Sequence, residues 1–158
     1  AQALAWYPQQ MREGLAAAAS ANGPQLVVAP ETALPLLPEQ LGPDFWRGLF
    51  GPLAEQNASQ PAALLTGLPL GNLEAGYTNS AWGVSPEAAR SALASGQPTQ
   101  VHRYDKHHLV PFGEFVPPFF RWFTQMMNIP LGDFARGALP QPSWAWAGQR
   151  IAPNICYE

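Results

Sequence analysis

The stretch that most constrains the fold is Leu26-Val27-Val28-Ala29, an apolar run shut between Asn22-Gly23-Pro24 and Pro30. So short a run, bounded by turn signals on both sides, suits a buried strand. Before it, Pro8 to Ala21 carries Met11, Leu15, Ala18 and Ala19 at helical spacing and closes on the same Asn-Gly-Pro stop, which predicts a surface helix. The strand delivers Glu31 just past its C-terminal end, where open α/β sheets usually place their chemistry.

The remaining segments extend the pattern. Pro43 to Asn57 reads as a second helix with Phe45, Leu49, Phe50 and Leu53 on its apolar side, although Gly51-Pro52 weakens its middle. Ala62 to Leu68 and Tyr77 to Val84 read as two strands joined by a Gly-Asn-rich turn, the second with Thr78, Ser80 and Trp82 on one face. Ser85 to Pro98 is small, polar and loop-like. Gln100 to Tyr104 predicts a strand that presents Asp105 and Lys106 at its end. A Gly-Pro-Trp-rich connector then leads to a last strand, Gln149 to Tyr157, that brings in Cys156. Between them, Val110 to Leu131 is Pro-interrupted and crowded with Phe112, Phe115, Phe119, Phe120, Trp122 and Phe123. This order predicts a mixed α/β sheet rather than a strict βαβ series.

Composition narrows the classes. At 158 residues with 47% apolar and 12% charged residues, the chain has the length of about one globular domain. A net charge of -3 and Lys and Arg scattered along the chain leave no basic footprint for nucleic acid. No apolar run reaches the roughly 18 residues of a membrane span, so this stretch is not expected to cross a bilayer, though it can lie on one. The chain starts on Ala1 without a signal-peptide pattern and stops at Glu158 directly after a predicted strand, and it reads as a piece of a longer protein.

A single cysteine excludes an internal disulfide, and leaves Cys156 either as a core thiol behind Ile151 to Ile155 or as a nucleophile. Glu31, after Ala29-Pro30, is either a solvated loop carboxylate or a base that ionises that thiol. Lys106 is either a surface ion-pair partner or, buried beside Glu31 and Glu114, a fixed cation for a developing oxyanion. Glu114, between Gly113 and Phe115, has the apolar surroundings of a desolvated carboxylate with a specific partner. His107 and His108 would point to opposite faces of an extended strand, and with no second cysteine or HxxxH spacing a metal site is poorly supported. His102 reads as a strand-face residue.

The residues match a known pattern. Glu31 in Pro-Glu-Thr, Lys106 in Tyr-Asp-Lys-His-His-Leu-Val-Pro-Phe-Gly-Glu-Phe-Val-Pro and Cys156 in Ile-Cys-Tyr-Glu resemble, in that order, the Glu-Lys-Cys triad of the nitrilase, or carbon-nitrogen hydrolase, superfamily. Within it, the lysine motif, Tyr77-Thr78-Asn79-Ser80 and Phe134-Ala-Arg-Gly137 resemble the apolipoprotein N-acyltransferase family, across nearly the whole chain.

That resemblance implies a nitrilase-like αββα sandwich, here incomplete, with the family's first strand before Ala1 and further elements after Glu158. It implies that residues 1–158 are part of a catalytic domain whose parent also carries a membrane-spanning N-terminal domain, in the bacterial inner membrane with the catalytic domain on the periplasmic side. The implied reaction moves an acyl chain from a phospholipid donor through a Cys156 thioester to the α-amino group of a diacylated apolipoprotein, without a cofactor. Glu31 would be the general base, Lys106 the oxyanion partner and Glu114 the holder of Lys106, with Tyr157 and Glu158 shaping the nucleophile's surroundings. The aromatic segment would be an interfacial lid that admits acyl chains at the membrane surface. Two other readings use the same residues: a soluble carbon-nitrogen hydrolase, in which water resolves the intermediate, and a degenerate domain that only binds.

Overall fold

The computed structural model describes residues 2–56, 59, 61–111, 113–115, 133–156 and 158. Helix α1 (Gln2–Ala18) leads into strand β1 (Gln25–Val28), a 3-10 turn (Pro38–Gln40) and helix α2 (Pro43–Ala54). The hairpin β2 (Ala62–Asn72) and β3 (Gly76–Val84), helix α3 (Pro86–Ser95), strand β4 (His102–Asp105) and the ribbon β5 (Trp144–Trp146) with β6 (Gln149–Ile151) complete the order.

One mixed sheet, ordered β1-β2-β3-β4, organises the molecule, with β1 parallel to β2 and the other pairs antiparallel. Alternation along β2 and β3 decides what each face meets. Leu64, Leu68, Leu70, Trp82 and Val84 turn to one face and join Met11 and Leu15 of α1, Leu49, Phe50 and Leu53 of α2, and Ala88, Ala89 and Ala92 of α3 in one buried cluster. The three helices therefore cover a single face. The chain has the mixed α/β architecture its sequence predicts, as one helical layer on one sheet.

The opposite face is built for close approach. Gly67 of β2 lies under the turn that follows β1, where a Cβ would sit 2.7 Å from Pro30 O and Thr32 N and 2.8 Å from Glu31 Cα. Farther along, the Trp144 indole packs over Gly83.

Several elements depart from the sequence reading. Helix α1 starts well before Pro8, which lies inside it. Pro8 cannot donate a main-chain bond and its ring crowds the preceding turn, but the helix is held by Met11 and Leu15 on the core. Strand β1 is not buried: it is the edge of the sheet, and Val28 is 63% exposed. The stretch from Ser85 to Pro98 is not a loop but contains α3, because its small polar residues are end signals. Ser85 caps the first turn by accepting from Ala88 N at 3.1 Å, Pro86 is the first helical residue, and Gly96 closes the last turn at φ 72. The Trp-rich connector contains β5, and β6 ends at Ile151, so Cys156 lies in irregular chain beyond it and not at a strand end. Phe112, Phe119, Phe120, Trp122, Phe123 and Tyr157 lie outside the described residues.

Candidate active site

Register brings the site together. Ser80 pairs with Asp105 across β3 and β4, so one step further Asn79 faces Lys106, and Lys106 N donates to Asn79 O at 2.8 Å. Facing residues share a face of the sheet. Asn79 and Lys106 thus point away from the helices, toward the face that Gly67 leaves open to the Glu31 turn. Asp105 takes the other side, where it accepts from Ser80 Oγ at 2.6 Å, Thr78 Oγ1 at 3.1 Å and Arg103 Nε at 2.8 Å.

Lys106 is 1% exposed, and its Nζ lies 2.9 Å from Glu114 Oε2 and 3.8 Å from Glu31 Oε1. The turn that supplies Glu31 is fixed at both ends. Ala29 N donates to Leu65 O at 2.8 Å, Leu34 N to Gly67 O at 3.1 Å, and Thr32 sits in the left-handed region at φ 54. Glu114 comes from a tight turn in which its N–H donates to Val110 O at 2.9 Å while its Oε2 accepts from Val110 N at 2.8 Å. Burial pushes the Glu114 carboxyl up, but the Val110 N–H, the hydrogen bonds from Lys106 and Asn79 and the Lys106 charge together bring it below its ordinary value.

Asn79, 5% exposed, is the residue that sequence reasoning left out of the site. Its Nδ2 donates to Glu31 Oε1 at 2.5 Å and to Glu114 Oε1 at 2.8 Å. A signal was available, because asparagine is depleted in strands and this one interrupts an otherwise ordinary strand.

Cys156 is exposed, and a second hub ties its segment to the lysine segment. Glu158 Oε1 accepts from His107 N at 2.8 Å and His108 N at 3.3 Å, while Oε2 accepts from Tyr104 Oη at 2.6 Å and Ile155 N at 3.1 Å. Burial raises the Glu158 carboxyl, and the Tyr104 hydroxyl with these three main-chain N–H groups outweighs it, so the group lies below its ordinary value. Tyr104 is pushed well above the usual phenol range by burial and by its bond to Glu158. The geometry thus joins Glu31, Asn79, Lys106 and Glu114 side chain to side chain. The segment that carries Cys156 is tied to the lysine segment by the Glu158 contacts with Tyr104, His107, His108 and Ile155.

The other predicted residues stand nearby in lesser roles. Phe115 is half-buried beneath the Arg136 guanidinium, 5.0 Å from its ring centroid. His107 and His108 follow the strand instead of lying in it, so their rings meet edge to face at 5.0 Å and do not oppose each other. His107 Nδ1 lies 2.6 Å from Gly137 O. His102 stacks on Trp144, and burial lowers its pKa. Among the described residues no three His, Cys, Asp or Glu side chains converge as a metal-binding group.

A buried ammonium flanked by two carboxylates, one of them partly exposed, supplies a fixed electrophile beside an accessible proton acceptor. Fold and site define a mixed α/β chain that holds a buried lysine between two carboxylates.

The chain is similar to curated apolipoprotein N-acyltransferases. The chain is 56% identical over 156 residues to the apolipoprotein N-acyltransferase of Verminephrobacter eiseniae, covering 99% of this chain and 25% of that protein. It is 46% identical over 140 residues to that of Bordetella bronchiseptica, covering 85% of this chain and 24% of that protein. Against that of Pseudomonas aeruginosa strain PAO1 it is 36% identical over 165 residues, covering 100% of this chain and 29% of that protein. The chain thus spans about a quarter of the length of the curated relatives it matches. A solved CN-hydrolase superfamily protein from Xanthomonas campestris, with an arsenic adduct in its active site, is similar at TM-score 0.47 and 21% identity, over 95% of this chain and 48% of that one. No family model matches the chain.

Proposed function

We propose that the chain carries the acyl-transfer site of an apolipoprotein N-acyltransferase. The observation that carries this reading is the buried Lys106 ammonium held between Glu114 and Glu31. A surface ion-pair lysine has no reason to be desolvated beside two carboxylates, whereas an oxyanion partner must be preorganised in low dielectric.

In the proposed reaction Cys156 Sγ attacks the ester carbonyl of a phospholipid while Glu31 takes the thiol proton. The carbonyl oxygen becomes an oxyanion, which Lys106 stabilises. Collapse breaks the ester C–O bond, the lysophospholipid leaves with the proton held by Glu31, and a thioester remains. The α-amino group of a diacylated apolipoprotein then attacks the thioester, Glu31 takes the amine proton, and the proton returns to the departing Cys156 thiolate. A thioester suits the second half because it is more reactive toward amines than the starting ester. Glu114 holds Lys106, and Glu158 keeps the Cys156 segment beside it, with Tyr157 completing the nucleophile's surroundings.

The aromatic segment from Val110 to Leu131, with Phe112, Phe115, Phe119, Phe120, Trp122 and Phe123, serves in this reading as the acyl-admitting lid. Charges placed at Phe119 and Phe120 should slow lipid turnover; unchanged turnover would remove the lid from the proposal. The relatives are bacterial, and we place the parent protein in the inner membrane with this domain on the periplasmic side. Among the described residues no helix is long and apolar enough to cross a membrane. In this reading a membrane domain is expected in the parent protein.

The test is direct. Full-length protein incubated with labelled phospholipid should acquire a hydroxylamine-sensitive acyl group at Cys156. An absent adduct, or one that persists in Cys156→Ala, would sink the reading.

A further inference from the structure

We propose that Asn79 is a positioning residue that stands in for a second cation in the site and selects which oxygen of Glu31 acts as the base. The inference rests on the reading of Glu31 as the proton acceptor, and goes beyond it by assigning roles to the two Glu31 oxygens and to an amide outside the triad.

Two carboxylates share a single ammonium, and that ammonium is closer to Glu114, at 2.9 Å, than to Glu31, at 3.8 Å. Glu31 is therefore short of a close partner in a site where Lys106 is 1% exposed. A second lysine or arginine would supply the charge, but would also compete with Lys106 for the developing oxyanion. A neutral amide supplies donors without doing so. Asn79 has two N–H bonds on one nitrogen, and gives one to Glu31 Oε1 at 2.5 Å and one to Glu114 Oε1 at 2.8 Å.

Both carboxylates are thus held by one planar amide, on a residue whose backbone carbonyl accepts from Lys106 N at 2.8 Å. The same backbone step that seats the lysine seats the amide. On Glu31 the consequence is asymmetric. Oε1 is engaged by Asn79 and faces Lys106, while Oε2 has no hydrogen-bond partner among the described residues. With the side chain 35% exposed, Oε2 is the lone-pair-bearing atom open to an incoming thiol or amine proton. By holding one oxygen, Asn79 keeps Glu31 from swinging into a close two-oxygen pairing with Lys106, which would tie up the base and the electrophile together.

The test measures the rate at which Cys156 acquires an acyl group from labelled phospholipid, and the rate at which iodoacetamide alkylates Cys156, in the full-length protein. Asn79→Ala should slow acylation by about 10- to 100-fold, the loss expected when a hydrogen bond to a charged group is removed. Asn79→Ser, which keeps one donor, should fall between, and serves if the alanine variant does not fold. Alkylation should slow in parallel, since it needs the same proton acceptor but neither lipid nor oxyanion. In a Glu31→Gln background the Asn79 substitutions should cost less than about 3-fold more, because residues that act through one another are not additive.

A wild-type acylation rate in the variants, or a full additional loss in the Glu31→Gln background, overturns the positioning role and leaves Asn79 as packing. If the unsubstituted protein forms no Cys156 adduct at all, the acyl-transfer reading falls and takes this inference with it.

Discussion

Glu114→Gln separates electrostatic support of Lys106 from mere space filling. All three partners of the Glu114 carboxylate are donors: Lys106 Nζ at 2.9 Å and Val110 N at 2.8 Å meet Oε2, and Asn79 Nδ2 at 2.8 Å meets Oε1. Glutamine has one acceptor oxygen and one NH2 group that only donates. Set with its oxygen toward Lys106 it confronts Asn79 with N–H against N–H, and flipped it confronts the ammonium and the Val110 N–H. Breaking a buried ion pair from one side costs about 3–5 kcal/mol. Glu31, 3.8 Å from the same ammonium, recovers part of that, so we expect a loss of about 3 kcal/mol at neutral pH.

An opposing effect must be weighed, because removing a buried charge also removes its desolvation cost. The Glu114 carboxyl lies below its ordinary value although burial pushes it up, so the favourable contacts exceed that cost and the ionised form is net stabilising. A depressed folded value contributes stability that is fully present above the unfolded value, about 4.3 for glutamate, and is lost as pH falls through the folded one. The difference between the unsubstituted chain and Glu114→Gln should therefore be greatest at neutral pH and shrink on acidification below about pH 4. Urea unfolding followed by tryptophan fluorescence reads it. With a slope of about 2 kcal/mol/M the midpoint should drop by about 1.5 M. A loss under about 1 kcal/mol at neutral pH, or a gap that stays constant into acid, would refute the reasoning.

Gly67→Ala should lower stability by about 1–3 kcal/mol and slow Cys156 acylation. The nearest atoms to its Cβ would be backbone, Pro30 O and Thr32 N at 2.7 Å and Glu31 Cα at 2.8 Å, so the turn carrying Glu31 must move. A wild-type melting temperature together with wild-type acylation would contradict the packing of that turn. Ser85→Ala removes the acceptor for Ala88 N at 3.1 Å and should cost about 1 kcal/mol in thermal unfolding. Acylation should be untouched, since α3 packs on the helical face and Glu31 on the other; a fall in acylation at constant stability would break that separation.

How much of this was legible depends on the range of the interaction involved. The β2–β3 hairpin and α2 were readable because alternation and helical spacing are local, and Lys106 at the end of β4 followed from the strand before it. Helix α3 was not, because Ser85, Pro86 and Gly96 carry the same turn signals whether they end a helix or make a loop, and only the Ala-rich interior distinguishes the two. Strand β1 looked buried because it is apolar, but exposure at a sheet edge is a property of its neighbours. Cys156 looked like a strand terminus because Ile151 to Ile155 is apolar, yet β6 pairs only as far as Ile151, and the chain beyond is shaped by the bond from Ile155 N to Glu158.

The place of Asn79 in the site was harder to read than its oddity in a strand, and it shows what register contributes to a polar site. In sequence it is separated from Glu31, Lys106 and Glu114 by dozens of residues, and no spacing rule links them. The link is the pairing of Ser80 with Asp105, which fixes Asn79 opposite Lys106. A slip of one residue would send Lys106 to the helical face among Leu68 and Trp82, and would send Asp105, with its acceptors, toward Glu31 and Glu114. Such a sheet would bury an unpaired ammonium on one side and gather three carboxylates on the other. Both outcomes cost several kcal/mol. The apolar pattern of β2 and β3 and the charge pattern of the site therefore select the same register, so the polar cluster helps to specify the sheet that positions it.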